Sequence, residues 1–200
     1  MSRSNRQQSQ RLTRERLRSA AVREFAQRGV SAASIDRIAE AAGFSRGAFY
    51  SNYDSKRSLL LELVTENQVA EIEFWQASID RAEDIETLFL ELETRFNAFV
   101  ARGDWGILGV EFQLEAERDP EFGRIYRDHS AALATRVTDM VRSLYRKAGR
   151  DDADADTTTL ALHALSLGLT LLNSHSQLLK DRSPGAVLVG LLRGVLGVTT

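Results

Sequence analysis

The chain has 200 residues, of which 43% are hydrophobic and 27% are charged, a composition typical of a globular protein with an apolar core. It contains no cysteine, which excludes disulfide bonds, a thiol nucleophile and any cysteine-ligated metal site. Its longest mostly apolar run, residues 160–172, is shorter than the roughly 20 residues of a membrane-spanning helix. Because the N-terminal residues are charged and lack a hydrophobic segment of the signal-peptide type, we expect a cytoplasmic protein.

The formal net charge of −2 hides an uneven distribution. Residues 1–60 carry twelve Arg or Lys against five Asp or Glu, a formal charge of +7, whereas the remaining 140 residues carry −9. Such a split indicates nucleic acid or another anionic surface as the partner of the first sixty residues. A solvated basic face without a partner is the alternative.

Apolar residues recur at helical spacing along the chain, and only two prolines occur, so the sequence predicts an all-α fold with about nine helices. The first predicted helix covers residues 12–28 and ends at Gly29. Two short helices follow, capped by Ser34 and Ser45, and a long helix begins at Ser55 and ends near residue 78. The remaining predicted helices run from 85 to Gly103 and then over 105–117, 120–148, 157–180 and 185–196.

The second predicted helix, a turn at Gly43 and the short third helix form a helix-turn-helix, the motif whose second helix lies in the DNA major groove. In the third helix, Gly47 and Ala48 are small enough for the backbone to approach the bases, and Ala48 suits a thymine methyl group. Arg46 can bind guanine O6 and N7 through its forked guanidinium. The motif therefore predicts a reading helix centred on Arg46 and Gly47.

Lys56 and Arg57 stand in the first turn of the fourth predicted helix, where a positive charge opposes the helix dipole by roughly 0.3–1 kcal/mol. A DNA phosphate at this helix N-terminus would offset that unfavourable interaction. We therefore predict a phosphate site formed by Lys56 and the hydroxyls of Ser34, Tyr50 or Tyr53. A solvated pair of cations is the simpler alternative.

The run SIDRIAEAAGFSRGAFYSNYDSKRSLL, residues 34–60, closely resembles the DNA-binding segment of TetR-type (tetracycline-repressor-like) transcriptional regulators, in which the pattern IA..AG.S.G..Y.yF.sK..L recurs. The resemblance extends from the first helix to the start of the fourth. Beyond it, the chain is similar to the family only in length, helicity and order of elements. Two positions depart from the pattern, because Tyr53 stands where Phe is usual and Arg57 stands where an acid usually follows the lysine.

The resemblance implies a homodimer that binds a palindromic operator in double-stranded DNA, usually as a repressor, and releases it when a small effector enters the C-terminal domain. The resemblance and the composition shift at 55–60 together divide the chain into two domains. Residues 1–57 form a DNA-binding domain, whose residues 1–10 are a flexible basic arm. Residues 58–200 form an effector-binding and dimerisation domain. We expect the segment Arg3 to Arg18 to reach phosphate or the minor groove. The predicted DNA contacts are Ser34, Ser45, Arg46, Gly47, Ala48, Tyr50, Tyr53 and Lys56.

Two almost wholly apolar helices near the C-terminus predict a buried interface. The segment 157–180 carries an apolar stripe that includes small residues, and 185–196 adds further apolar residues with two glycines four positions apart. These helices pack either in the core of their own chain or against a second copy, and the resemblance favours a four-helix dimer interface. The predicted interface residues are Ala164, Leu167, Gly168, Leu171, Leu188, Leu191, Leu192 and Val195.

Nine of the fifteen aromatic residues fall between positions 74 and 126, where the resemblance implies an effector cavity. Each of them can be an ordinary core residue or a lining residue. An aromatic-lined cavity suits a small apolar or flat ligand. The predicted ligand-binding residues are Trp75, Phe96, Trp105, Phe112 and Gln113.

Other chemical signals are weak. The acidic run 152–156 mimics the start of an EF-hand loop, but the glycine and glutamate that the loop requires are missing. The three histidines, His129, His163 and His175, have no metal-ligand spacing. No phosphate-binding loop, HExxH or GxSxG motif occurs, so we expect no metal, no cofactor and no catalytic residue.

Two alternative functions stay open. The first is a helical small-molecule-binding protein whose basic N-terminus associates with an anionic membrane surface; we expect no membrane partner, because the first helix needs its apolar face for packing. The second is a DNA-binding activator without an effector. It would share the helix-turn-helix and differ in its effect on transcription and in lacking an effector.

Overall fold

Nine α-helices and no strand make up the computed structural model, which describes residues 3–150, 154–173 and 176–198. The predicted all-α class and helix number are therefore confirmed for these residues. A short 3-10 turn, Gln177–Leu179, lies between the last two helices. The helices are α1 Arg3–Ala32, α2 Ile35–Ala42, α3 Arg46–Tyr50, α4 Lys56–Arg81, α5 Ile85–Ala101, α6 Asp104–Arg118, α7 Pro120–Lys147, α8 Ala155–Leu172 and α9 Pro184–Leu196.

Helix α1 is longer at both ends than the sequence analysis predicted. It begins at Arg3, so residues 3–10 are helical rather than a flexible arm; the run contains no Gly or Pro, and its Arg and Gln residues favour a helix. Gly29 is the one residue inside α1 with non-helical angles (φ 74°, ψ 160°). It therefore marks the predicted break, but one further helical turn follows it to Ala32.

The ends of α2, α3 and α4 follow the predicted capping residues in most cases. Gly43 adopts the left-handed conformation (φ 78°) and donates its N–H to the last carbonyls of α2. Ser45 accepts a hydrogen bond from Ala48 N, and Ser55 forms a reciprocal capping box with Ser58. Ser34 has the extended backbone of an N-cap, but its side chain makes no capping hydrogen bond to α2, all of which the structure describes.

The core of the helix-turn-helix does not close on itself. Buried side chains from the first four helices, such as Phe25, Ile38 and Phe49, form one apolar cluster with Leu108 and Phe112 of α6. Two further clusters join α4, α5, α7, α8 and α9. The N-terminal helices are therefore packed directly onto α6, and the predicted domain boundary at 57/58 falls inside the first turn of α4.

Two helix ends differ from the predicted ones. Helix α4 continues to Arg81, one turn beyond the predicted end near residue 78. Helix α8 ends at Leu172, and Asn173 is its C-cap, so the predicted helix 157–180 is too long. The apolar residues that follow belong to the 3-10 turn, whose Leu178 is exposed, and their spacing imitated a continuing helix.

Helix α6 lies in the middle of the molecule, in contact with α1, α4, α5, α7 and α8. Its crossing with α8 is very close, because a Cβ atom placed on Gly106 would overlap the Cγ2 atom of Thr170. Only glycine permits this approach of the two helices. Among the described residues, no helix is long and apolar enough to cross a bilayer.

Replacing Gly106 by Ala should therefore lower the free energy of unfolding by about 1–3 kcal/mol, because the new methyl group overpacks the α6–α8 crossing. Chemical denaturation measures the change. Gly109→Ala on the same helix is the matched control, since its Cβ would meet none of the described atoms within 4 Å. It should instead gain up to about 1 kcal/mol of helix propensity. Equal behaviour of the two variants would contradict the close crossing.

Candidate DNA-binding surface and effector cavity

Helix α3 presents a small polar face to solvent. Phe49 is fully buried and anchors α3 in the N-terminal core, while Ser45, Arg46, Gly47 and Tyr50 are exposed. Ala48, on the remaining side of the helix, is half-buried. The structure thus places four of the predicted DNA contacts together on one accessible surface.

Arg46 is held on this surface by two neighbours. Its Nη1 lies 3.2 Å from Asp36 Oδ2, and its Nη2 donates to the Tyr50 hydroxyl at 3.4 Å. The hydrogen bond with Tyr50 and the negative charge of Asp36 raise the pKa of Arg46. Since all three side chains are exposed, the guanidinium can exchange these partners for a guanine edge.

Tyr53 lies elsewhere than predicted. Only 5% of its surface is exposed, its ring packs against Phe49, and its hydroxyl donates to Glu62 Oε1 at 3.3 Å. Burial, followed by the charge of Glu62, raises the pKa of Tyr53. The Arg14 guanidinium covers the ring at 4.6 Å. Tyr53 is therefore a core residue in this structure. Its ring fills the same kind of apolar position as the Phe that is usual here.

Lys56 is partly committed to the protein itself. Its Nζ donates to the carbonyl oxygens of Ser31 (2.9 Å), in the last turn of α1, and Ala33 (3.0 Å), between α1 and α2. An ammonium has three N–H bonds, so one remains for a phosphate oxygen. Ser34 is half-buried, and its backbone N–H donates to Glu24 Oε1 at 3.2 Å.

Most of the positive charge of the first sixty residues is paired within the molecule. Arg14 and Arg18 of α1 turn inward to Glu62 of α4 at 2.7 and 2.6 Å, although both fall in the segment predicted to reach DNA. Among the arginines whose side chains the structure describes in this part of the chain, Arg16 and Arg23 have no ion pair. These two line a shallow groove beside the helix-turn-helix turn.

Arg57 joins the N-terminal helices to the rest of the molecule and does not face the predicted phosphate site. Its guanidinium lies 2.6 Å from Glu115 Oε1 of α6 and 2.7 Å from Asp119 Oδ2 at the start of α7. The hydrogen bond to Glu115 is the main cause that raises the pKa of Arg57. Glu115 is only 3% exposed, so its carboxylate depends on this partner. The departure from the family pattern at Arg57 was the one sequence signal for this contact.

A second carboxylate of α6 holds the end of α1. Glu111 Oε2 accepts a hydrogen bond from the backbone N–H of Val30 at 2.8 Å, just after the break at Gly29. Glu115 Oε2 also lies 3.4 Å from the hydroxyl of Ser31. One helix of the C-terminal part thus contacts α1 and α4 through charged groups one helical turn apart.

A cavity of about 620 Å³ opens between α4, α7 and α8. Its volume lies within the range of small-molecule sites. Its walls include Gln68, Glu71 and Ile72 from α4, Phe99 from α5, Tyr126, His129, Leu133 and Val137 from α7, and Asp156, Leu160 and His163 from α8.

The predicted lining residues are not in the walls of this cavity. Phe112 is fully buried in the core shared with the N-terminal helices, and Trp105 packs against the same core. Phe96 and Trp75 belong to the other two apolar clusters. Gln113 stands one contact away, since its amide nitrogen lies 3.1 Å from Nε2 of the wall residue His163. Aromatic residues cluster in cores as readily as in ligand sites, which is why aromatic density misplaced the cavity.

Two of the histidines belong to the cavity. His129 Nε2 lies 2.9 Å from Gln68 Oε1, and burial lowers the pKa of His129. Among the described residues, no group of His, Asp and Glu could hold a metal ion. His175 and the first two positions of the acidic run 152–156 lie outside the described residues.

The predicted dimer residues divide into two sets. Leu188 and Leu192 are buried in the core of their own chain, where α9 packs on α5, so they are core residues and not an accessible interface. Because α9 is almost wholly apolar, sequence periodicity could not distinguish the face that packs on α5 from the face that stays accessible. The other six predicted residues are exposed or half-exposed: Ala164, Leu167, Gly168, Leu171, Leu191 and Val195.

Comparison with known proteins gives two family matches. Residues 17–63 match the family described as bacterial regulatory proteins, tetR family. Residues 100–193 match the family described as BetI-type transcriptional repressor, C-terminal. The two matched segments together span well over half of the chain.

The relatives and solved structures agree with these matches. The chain is 27% identical over 158 residues to the HTH-type transcriptional repressor Rv1474c of Mycobacterium tuberculosis, covering 78% of this chain and 79% of that protein. It is 29% identical over 151 residues to the HTH-type transcriptional repressor AcnR of Corynebacterium efficiens, covering 76% and 74%. The fold is similar to that of the transcriptional regulator FadR from Bacillus subtilis, solved in complex with stearoyl-CoA, with a TM-score of 0.68, 17% identity and coverage of 92% and 96%.

The helix-turn-helix geometry and the two family matches identify the class of protein. The chain belongs to the TetR family of transcriptional regulators. Members of this family are DNA-binding regulators and not enzymes.

Removing the Arg57 guanidinium should destabilise the protein, because it leaves the buried Glu115 carboxylate without its cation. We expect Arg57→Gln to lower the free energy of unfolding by about 1–3 kcal/mol, less than the roughly 3–5 of a fully buried pair because Arg57 is half exposed. Chemical denaturation measures this loss. Arg142→Gln, which breaks exposed ion pairs on α7, should change stability by less than about 1 kcal/mol.

The double variant Arg57→Gln with Glu115→Gln tests the cause. Since the second substitution removes the unpaired charge, it should recover part of the stability lost by the first. A double variant that loses the sum of two independent effects would show that the ion pair is not the source.

Proposed function

We propose that this transcriptional repressor of the TetR family acts in the cytoplasm as a homodimer that binds a palindromic operator and releases it when a small effector occupies the α4–α7–α8 cavity. The observation that carries the proposal is the exposed polar face of α3, fixed by the buried Phe49 and the capping residue Ser45. An exposed short helix with a forked cation and a glycine is the arrangement that the major groove accepts.

The DNA surface combines base readout with phosphate contacts. Arg46 and the small residues Gly47 and Ala48 face the bases, while Ser45, Tyr50, Ser34 and the third N–H of Lys56 contact phosphates. Arg16 and Arg23 of α1, which lie in the groove beside the turn, add phosphate contacts that the sequence analysis did not single out. The proposed surface does not include Tyr53.

Homodimerisation is supported by exposed apolar residues on α8 and α9. Leu160, Leu171 and Leu172 of α8 and Leu191 of α9 are exposed in the single chain. Gly190 and Gly194 are exposed beside Leu191 and would allow a partner helix to approach closely. An apolar stripe of this kind is stabilised by burial against a second copy. Two helix-turn-helix units in one particle then read two half-sites of a palindrome.

Effector response is supported by a continuous set of contacts from the cavity to the N-terminal helices. His163 in the cavity wall contacts Gln113 of α6, and Glu111 and Glu115 of the same helix hold Val30 and Arg57. An effector that displaces α6 therefore changes the position of α1 and α4. To move the operator from mostly bound to mostly free, the effector must prefer the displaced conformation by about 5 kcal/mol.

The membrane-surface alternative loses its physical support. A helix that lies on a membrane needs a free apolar face, and the apolar face of α1, formed by Leu17, Ala21 and Phe25, is buried in the core.

Arg46→Ala should weaken operator binding and relax the preference at one base pair of each half-site, by about 1–3 kcal/mol. Arg23→Ala should instead weaken the operator and random DNA alike, because phosphate contacts carry no sequence information. Fluorescence anisotropy with the operator selected from random duplexes, its single-base variants and a random duplex measures both effects. Equal losses of Arg46→Ala on operator and random DNA would contradict base readout by this residue.

Leu191→Glu should convert the dimer to a monomer, because it places a charge in the proposed α8–α9 interface. Sedimentation measures the mass. Leu114→Glu on α6 is the matched control, since both leucines have 39% of their surface exposed. A dimer that survives Leu191→Glu, or one lost equally with Leu114→Glu, would place the interface elsewhere.

A further inference from the structure

The cavity between α4, α7 and α8 is walled chiefly by apolar side chains. Ile72, Leu133 and Val137 line its sides, and Phe99 and Tyr126 add aromatic surface. Such walls give a ligand its binding free energy mainly through the removal of apolar surface from water. The charged groups among the walls then decide which ligands can enter.

Glu71 is the carboxylate of the walls that is best shielded from water. Its Oε1 accepts hydrogen bonds from Arg95 at 3.0 Å and Arg102 at 3.3 Å, and its Oε2 accepts from Arg95 at 3.1 Å. Two guanidiniums therefore already pair with this single carboxylate and carry more positive charge than it carries negative. A cationic ligand would have to compete with both of them.

Asp156 is the other carboxylate of the walls. Its side chain is 80% exposed and lies 3.5 Å from the Arg142 guanidinium. Water screens a group this exposed, so its attraction for a cation inside the cavity is weak. None of the described wall residues is Lys or Arg, so an anionic ligand finds no cation in the walls.

Apart from the two histidines, the remaining polar groups of the walls are amides and hydroxyls. Asn67, Gln68 and Ser130 are neutral donors and acceptors. Burial lowers the pKa of His129, which keeps its ring neutral near pH 7. Such groups can bind a hydroxyl, carbonyl or amide without the cost of burying an unpaired charge.

We infer that this cavity takes an uncharged, mostly apolar ligand with one or two hydrogen-bonding groups, and that it discriminates against both carboxylates and quaternary ammonium groups. The inference rests on the proposed function in that the same cavity is the effector site. It adds the net charge of the ligand to the proposed function. The preference for an uncharged ligand follows from the absence of Lys and Arg among the described wall residues and from the pairing of Glu71 with two arginines.

Three probes with the same alkyl chain test the charge class: 1-decanol, decanoate and decyltrimethylammonium, each below its micelle concentration. Titration calorimetry of the full-length protein measures binding. We expect 1-decanol to bind at least tenfold more tightly than either charged probe. Equal or tighter binding of a charged probe, or no binding of 1-decanol, would overturn the inference.

A matched pair of variants shows whether the probe binds in this cavity. Ala134 of α7 lines the cavity. Ala132 of the same helix is also exposed but lies outside the cavity walls, so a Trp side chain occupies the cavity at position 134 and not at position 132. We expect Ala134→Trp to abolish 1-decanol binding and Ala132→Trp to retain it. Binding that survives Ala134→Trp would place the ligand elsewhere.

Operator binding measured on the same samples separates this inference from the proposed function. Ala132→Trp, which alters neither the cavity walls nor the proposed DNA surface, should bind the operator in the absence of probe. Loss of selective DNA binding in the unmodified protein would overturn the proposed function itself. Intact operator binding with a preference for a charged probe would overturn the charge class alone.

Discussion

The ion pair between the buried carboxylate of Glu115 and Arg57 is the interaction on which the position of the N-terminal helices against α6 depends. A carboxylate with 3% exposure is costly unless a cation and hydrogen-bond donors surround it, and here Arg57 supplies the cation from the first turn of α4. Because Arg57 also pairs with Asp119, the DNA-binding helices are fixed to both α6 and α7 at one point. The apolar core continues across the same junction, so the N-terminal helices share buried side-chain contacts with α6 and α7.

Local chemistry made the helix-turn-helix predictable from sequence. The glycine at Gly43 and the capping serines Ser45 and Ser55 act within a few residues of their own positions, and the structure reproduces all three. The contacts that sequence could not give join residues far apart in the chain. The contacts from Tyr53 to Glu62, from Lys56 to the end of α1 and from Arg57 to Glu115 depend on how helices pack. The first two withdraw predicted DNA contacts into the protein, Tyr53 wholly and Lys56 in part.

The same limit explains the C-terminal predictions. Periodicity predicts that α8 and α9 are apolar helices, but it does not decide which apolar face meets the protein's own core, so the prediction that Leu188 and Leu192 lie in the dimer interface is wrong. Aromatic density likewise pointed to Phe96 and Phe112, whereas the cavity is defined by gaps between α4, α7 and α8. A gap is a property of packed helices and has no signature in a single sequence.

The crossing at Gly106 is a close contact between α6 and α8. Because interlocked helices resist sliding along each other, we expect α6 to move mainly by turning about this point. At 1.5 Å per residue, Gln113 lies about 10 Å from this pivot and Glu115 about 14 Å, on the same side. In the proposed effector response, a small rotation of α6 would therefore move Glu115 about a third further than Gln113, and α6 would act as a lever on the helices that Arg57 joins to it.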